Sequence, residues 1–399
     1  MSVKKSVSVL SHPDRYINCF LKDGVLIPGF SKSMHKNARP LEYTTTAVYS
    51  KIASLYIFGG DEEIYVSRNG YDYTRYDYFS CFRPFLIEDY IDGKMQVVFI
   101  TGPHAAVYNG SGFDKIELPQ IFWNGVMHCG RLFSVDGYKV IWSGPKGFSD
   151  WEEGINGCGH LELDSARGRP YTLFVLGGKI VIVREFGFTV LSMYGSPENF
   201  SVESTDTDSN LIINFSFSVV KDKLYFLTDD GIKCFDGSKI TPIPFDYTFL
   251  DVQTATSYGG KYFLAGYIKE FSCDMIICID TELGANCFID QYACYFCVKN
   301  GLEFFDNESH YFLSNERNGS YSFESKELDF GTDKFKTVTE IRVSGKANIS
   351  ISNGRHTKNY TVSDGIVYPH FKGRKFKVTV WGNDRVDDLT VIAEVPDEV

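Results

Sequence analysis

Apolar and polar positions in this chain alternate with a period of two over short runs, broken at close intervals by Gly, Asn-Gly or Asp-Gly. The stretch KLYFLTDDGIKCFDGSKITPI, residues 223–243, shows the unit: an aromatic and β-branched strand, Asp230-Gly231, a second strand, Asp236-Gly237 and a short third strand. Asp-Gly supplies the positive φ values that a two-residue hairpin loop requires, and the flanking residues suit a pleated, half-buried surface. No long run keeps a 3.6-residue period, so the pattern predicts an all-β fold.

The unit recurs. Similar strand pairs occupy 54–70, 96–118, 130–144, 171–192, 223–237, 261–280 and 293–314. One anchor from each, Tyr65, Val107, Ile141, Val190, Cys234, Cys278 and Phe312, gives gaps of 42, 34, 49, 44, 44 and 34 residues. The mean of about 41 is the length of a four-stranded propeller blade. A single small sheet cannot bury both faces, whereas sheets arranged radially bury one another. The spacing therefore predicts a six- to seven-bladed β-propeller over residues 41–320. Residues 1–40 form an N-terminal extension, in which 15–30 are expected to supply a closing strand. A β-sandwich of similar length would explain the strands but not their spacing. After residue 320 the alternation becomes regular, as in Ile341/Val343 and Ile349/Ile351, and predicts a small C-terminal antiparallel β-sandwich over 321–399.

Charge sharpens that boundary. The net charge is −11, yet residues 331–385 hold 11 Lys and Arg against 4 Asp and Glu, while 386–399 hold 5 acids and no base. The basic run HFKGRKFKVTVWG places Lys372, Arg374, Lys375 and Lys377 together. They are the candidate partner-docking residues, facing an acidic surface on another subunit; the competing reading is edge-strand protection. Five of the 10 cysteines fall between Cys273 and Cys297, and Cys294-Tyr-Phe-Cys297 is a CxxC. The pair lies in Tyr292–Val298, which reads as a strand, where positions i and i+3 face opposite sides. These residues are therefore read as reduced core thiols, suited to a reducing cytoplasm. The N-terminal apolar stretch is too short for a signal peptide, and no apolar run is long enough for a membrane-spanning helix.

Catalytic patterns are sparse. Ser134-Val-Asp136-Gly137 and Thr228-Asp-Asp230-Gly231 approach the Asp box of sialidase-like propellers, but Gly follows Asp directly, so they read as turns. Asp150, Glu152 and Glu153 sit in a polar loop rather than as a carboxylate pair. His128 beside Cys129, and Cys158-Gly-His160, read as isolated residues rather than metal ligands. The expectation is a protein that is not an enzyme and has no catalytic, cofactor-binding or metal site.

Three stretches resemble known proteins: the opening unit, VIWSGPKGFSDWEEG (140–154) and KELDFGTDKFKTVTEIRVSG (326–345). They are similar to the repeating element and closing sandwich of β-propeller tail hub, nozzle and head–tail connection proteins of short-tailed bacteriophages. That resemblance implies a structural subunit of the virion, assembled in the host cytoplasm. It implies a homo-oligomeric ring, a hexamer, contacting other tail or neck proteins while DNA passes through without sequence-specific binding. The alternative is a carbohydrate-binding propeller that recognises a host surface, with Trp142, Trp151 and Tyr194 as candidate aromatic platforms.

Overall fold

Six four-stranded antiparallel sheets and one three-stranded sheet follow one another along the chain. The computed structural model of the protein describes residues 2–35, 44–60, 64–76, 85–91, 94–122, 124–206, 208, 210–307, 309–314 and 316–396. Among them there are strands and two short 3-10 turns but no α-helix, and no helix is long and apolar enough to cross a membrane. The first blade comprises Thr44–Ser50, Leu55–Gly60, Ile64–Ser67 and Thr74–Tyr76, and the three-stranded sheet comprises Phe85–Ile91, Lys94–Tyr108 and Phe113–Phe122. The second blade spans 126–162, the third 170–206, the fourth 218–242 and the fifth 249–289.

Each sheet shares a core with the next, which makes the arrangement a propeller. Strand Lys223–Thr228 shows how the sequence achieves this. Leu224 and Phe226 pack with Val181, Phe188 and Val190 of the third blade. Tyr225 and Leu227 point the other way, into a core shared with Tyr262 and Leu264 of the fifth. A strand buried on both faces must be apolar at successive positions, which explains the run Leu-Tyr-Phe-Leu. The ring closes where Tyr295, Cys297 and Phe305 of the last blade meet Ala47, Tyr56 and Phe58 of the first.

Six of the seven repeat anchors lie on the third strand of their blades. Val107 instead lies on the middle strand of the three-stranded sheet, opposite Asp114, which accounts for part of the uneven spacing around it. The Asp-Gly turns also differ from expectation. Thr228 pairs directly with Gly231, so the two loop residues are Asp229 and Asp230, not Asp230 and Gly231. Thr228 Oγ1 contacts Asp230 Oδ1 and lies 2.9 Å from Gly231 O, bonds that hold the tighter register.

The second Asp-Gly turn runs from Asp236 to Lys239, between paired Phe235 and Ile240. Asp236 Oδ1 accepts from Lys239 N and Ser238 N, both at 2.9 Å, and from Ser238 Oγ at 2.8 Å. The backbone donors, Lys239 first and then Ser238, bring the carboxyl down to about 2 from an ordinary 3.8. A depressed folded pKa contributes stability that is present above the unfolded value and is lost as pH falls through the folded one. Asp236→Ala should therefore unfold at a lower temperature than the parent near neutral pH, and the gap should close between about pH 4 and pH 2. A gap unchanged at about pH 2, by differential scanning calorimetry, would show that the turn is held by other bonds.

The N-terminal segment serves two sheets. Lys32–His35 is the fourth strand of the last blade, beside Tyr295–Val298, Leu302–Phe305 and His310–Leu313. The closing strand is thus displaced from the expected 15–30. Those earlier residues belong to the terminal sheet: Pro13–Ile17 pairs with Tyr321–Ser325, and Ser2–Ser8 pairs with Val386–Pro396. The terminal ten-stranded sheet is built from both chain ends, with strands Lys336–Ser352, Lys377–Gly382 and Val386–Pro396 at its centre and Thr357–Val367 paired to Lys336–Ser352 alone. Asn18 clamps the crossing between the two bodies. Its Nδ2 donates to Phe30 O and Ser320 O, and its Oδ1 accepts from Phe30 N. Backbone approaches so closely here that a Cβ on Gly319 would lie 1.9 Å from Phe30 O, so only glycine fits.

Candidate functional site: a cleft between the fourth and fifth blades

In an antiparallel blade, the loop between strands two and three emerges at the same end as the connections that enter and leave the blade. Three such segments meet on the fourth blade: 213–215 leading in, 228–231 in the middle and 245–252 leading out to the fifth. They enclose a cleft of about 570 Å³, within the size range of small-ligand sites.

The wall is the segment IPFDYTFL, residues 243–250. Ile243, Phe245, Tyr247 and Phe249 are half-buried, whereas Pro244, Asp246, Thr248 and Leu250 are exposed, as an extended strand of period two requires. Phe245 lies 5.9 Å from Phe249 with the rings nearly parallel. Tyr247 stacks on Phe271 at 5.4 Å and meets Phe288 edge-on at 4.6 Å. The polypeptide is tied at Thr248, whose N donates to Glu270 Oε2 and whose O accepts from Lys269 N, both at 2.9 Å. The opposite wall is equally fixed. Buried Ser216 accepts from Leu227 N at 2.9 Å and donates to Ile213 O at 2.6 Å. Beside it Phe215 has φ of 65°, a left-handed conformation that is costly for a bulky side chain.

Asp229, Asp230, Asp246 and Asp251 line the cleft, and among the described residues no Lys or Arg does. Asp230 accepts from Thr228 and pairs with Lys233 Nζ at 3.0 Å; these partners, Thr228 first, hold its carboxyl below the usual range. Burial alone would depress Lys233, but its bonds to Asp208 and Asp230 outweigh that and raise it. Asp274 is raised by burial first and by the charge of nearby Asp251 second. Rigid aromatic walls, with carboxylate and amide oxygens at the rim, can stack on an apolar face and accept hydrogen bonds from hydroxyls. They repel anions.

The sequence-predicted residues lie elsewhere. Trp142 is buried, 6.3 Å from Phe133 and 5.1 Å from Phe200. Trp151 donates Nε1 to Phe148 O at 2.7 Å within its own loop. Of the three expected platforms only Tyr194 is exposed, its hydroxyl turned back to Gly178 O. Lys375 pairs with Glu327 at 2.9 Å; Lys377 pairs with Glu324 at 2.7 Å and Asp14 at 3.0 Å. Arg374 covers the Phe335 ring at 5.1 Å, and Lys372 is exposed. Half of the basic patch is therefore neutralised within the chain. Cys129 Sγ lies 3.5 Å from His128 Nε2, Cys158 donates to Trp151 O, and His160 is 3.8 Å from Glu162. No group of three or more potential metal ligands forms among the described residues. Cys294 precedes strand Tyr295–Val298 instead of lying in it, and burial first pushes both its thiol and that of Cys297 up. Of the near Asp boxes, only Thr228–Gly231 borders the cleft.

The cleft residues Phe245, Tyr247 and Phe249 do carry a sequence signal, the alternation Phe-Asp-Tyr-Thr-Phe between two blades. No known family matches this chain, and no curated protein does. In fold, the chain is similar to two crystal structures of an extracellular domain from B. thetaiotaomicron. One is described as part of a one-component system, with TM-score 0.49, 10% identity and coverage of 90% of this chain and 60% of that one. The other is described as part of a hybrid two-component system, with TM-score 0.49, 10% identity and coverage of 86% and 55%. The chain thus spans less than two thirds of either. These neighbours are bacterial extracellular domains and not virion proteins, and the expectations of a phage tail ring subunit and of a virion location are corrected accordingly. The strand-pair units behind that resemblance are shared by propellers of unrelated function.

Proposed function

We propose that this protein is a non-catalytic binding propeller that takes a neutral saccharide in the cleft between its fourth and fifth blades. The observation that carries this reading is the composition of the lining: half-buried Phe245, Tyr247 and Phe249 beside four aspartates, with no basic residue among the described lining residues. A pyranose offers an apolar C–H face to an aromatic ring and hydroxyl donors to carboxylates. A phosphate or nucleic acid would be repelled.

Calorimetric titration with a panel of neutral mono- and disaccharides tests it. At least one is expected to bind, with little dependence on salt because the ligand is uncharged. Replacing two of the four exposed carboxylates, Asp229→Ala with Asp246→Ala, removes charge-assisted bonds and should weaken binding about tenfold or more. Binding that survives the double substitution, or the absence of binding by every member of the panel, would overturn the assignment. Chemical turnover of a glycan that disappears in Asp251→Asn or Asp274→Asn would replace it with an enzyme.

A further inference from the structure

The outward face of the terminal sheet carries a second feature, independent of the cleft. Ser322, Trp381, Asn348 and Thr361 stand directly opposite one another on four neighbouring strands. Inward residues on the same strands, Phe323, Val380, Ile349 and Val362, are buried in the core. By the period-two rule the row of four must then face outward, and Trp381 is 37% exposed. The adjacent row is Glu324, Thr379, Ser350 and Asn359. A single large indole therefore lies among hydroxyls and amides, with the carboxylate of Glu324 in the next row.

Both lysines beside that field are paired with carboxylates of the chain. Lys377 is shared by Glu324 and Asp14, and Lys346 lies 3.7 Å from Asp384. Thr361 Oγ1 donates to Asn348 Oδ1 at 2.8 Å, which fixes the amide plane and leaves its N–H groups as donors beside the ring. A face whose two lysines are held by three carboxylates does not attract an anion; with its exposed aromatic ring, oriented amides and hydroxyls it matches an uncharged ligand that has both apolar C–H faces and many hydroxyls. Four strands at about 4.8 Å spacing extend the row to roughly 14 Å, more than one sugar ring.

From this juxtaposition we propose that the outward face of the terminal sheet binds a neutral polysaccharide chain, with Trp381 as the stacking platform and Asn348, Thr361 and Ser322 along its length. The ring stacks on a pyranose face, and the amides and hydroxyls exchange hydrogen bonds with its substituents. The proposal does not rest on the cleft, and the two are separable by experiment.

Affinity electrophoresis of the full chain through gels containing soluble β-glucan, xylan or mannan provides the test. At least one is expected to retard the protein. Trp381→Ala should reduce that affinity about tenfold or more, as loss of an aromatic anchor does, while Trp381→Phe retains part of it. Because Trp381 faces outward, its thermal midpoint should stay near that of the parent, which separates lost binding from lost folding. The Asp229→Ala/Asp246→Ala variant should be retarded like the parent, so failure of the cleft and failure of the sheet face are distinguishable. Unchanged retardation in Trp381→Ala, or no retardation by any of the three polymers, would overturn the proposal.

Discussion

Removal of residues 1–35 is expected to abolish folding of both bodies, not only of the N-terminal extension. Ser2–Ser8 is paired along its whole length with residues 390–396, and Pro13–Ile17 pairs with Tyr321–Ser325. Lys32–His35 completes the last blade. The segment also buries Val9, Leu10, Cys19, Phe20, Leu26 and Phe30 almost completely. At about 1.5–3 kcal/mol for a buried large apolar side chain, their combined contribution matches or exceeds the 5–15 kcal/mol of net stability typical of a domain. The truncated chain should be insoluble or show no cooperative melt by circular dichroism. Removing residues 1–8 alone uncovers one strand of the terminal sheet and leaves Lys32–His35 in place, so a propeller transition should persist. A soluble 36–399 chain melting at the parental temperature would show that the closing strand is dispensable.

Glu303→Ala is expected to cost about 3–5 kcal/mol, the usual price of breaking a buried polar network from one side. Glu303 and His310 of the last blade and Tyr56 of the first are all buried, at 4%, 1% and 2% exposure. Glu303 Oε2 accepts from the Tyr56 hydroxyl at 2.8 Å and lies 2.7 Å from His310 Nε2. The three residues bridge the seam where the ring closes. Their surroundings are aromatic: Phe305 stacks on His310 at 4.1 Å and meets Phe58 edge-on at 5.5 Å. Truncating the carboxylate leaves a hydroxyl and an imidazole facing apolar rings. Glu303→Gln keeps an acceptor and should lose less. Chemical denaturation of the three proteins measures this directly. A loss below about 1 kcal/mol for the alanine variant would mean that the rings alone hold the seam closed.

The cleft is partly legible in the sequence. Phe245, Tyr247 and Phe249 alternate with Asp246 and Thr248 in plain view, but the segment follows the last short strand of a blade and looks like a connector. Its partners, Asn214, Phe215, Thr228 and Asp229, come from stretches that sequence spacing does not bring together. Tryptophan was a poor guide to binding surface inside the propeller, because Trp142 and Trp151 fill gaps between blades, as large apolar side chains must where sheets diverge radially. Trp381 lies within the basic run HFKGRKFKVTVWG, yet its exposure depends on which face of the sheet it occupies.

By itself the sequence determined the local structure. Period-two alternation, aromatic and β-branched strands and regularly spaced turns are short-range properties, and an approximately 41-residue repeat of them leaves few ways to bury both faces of each sheet other than a ring. It likewise determined the change of architecture near residue 320, where alternation with one polar face replaces runs buried on both sides. Only the tertiary structure decided that Lys32–His35, not residues 15–30, closes the ring, and that the terminal sheet is woven from both chain ends. Strand pairing between residues more than 300 positions apart, such as Ser2 with Pro396, depends on backbone hydrogen bonds that are the same for every residue type, so composition carries no record of the partner. The same holds for the charges: Lys375 and Lys377 read as a free basic patch until folding places Glu327, Glu324 and Asp14 beside them.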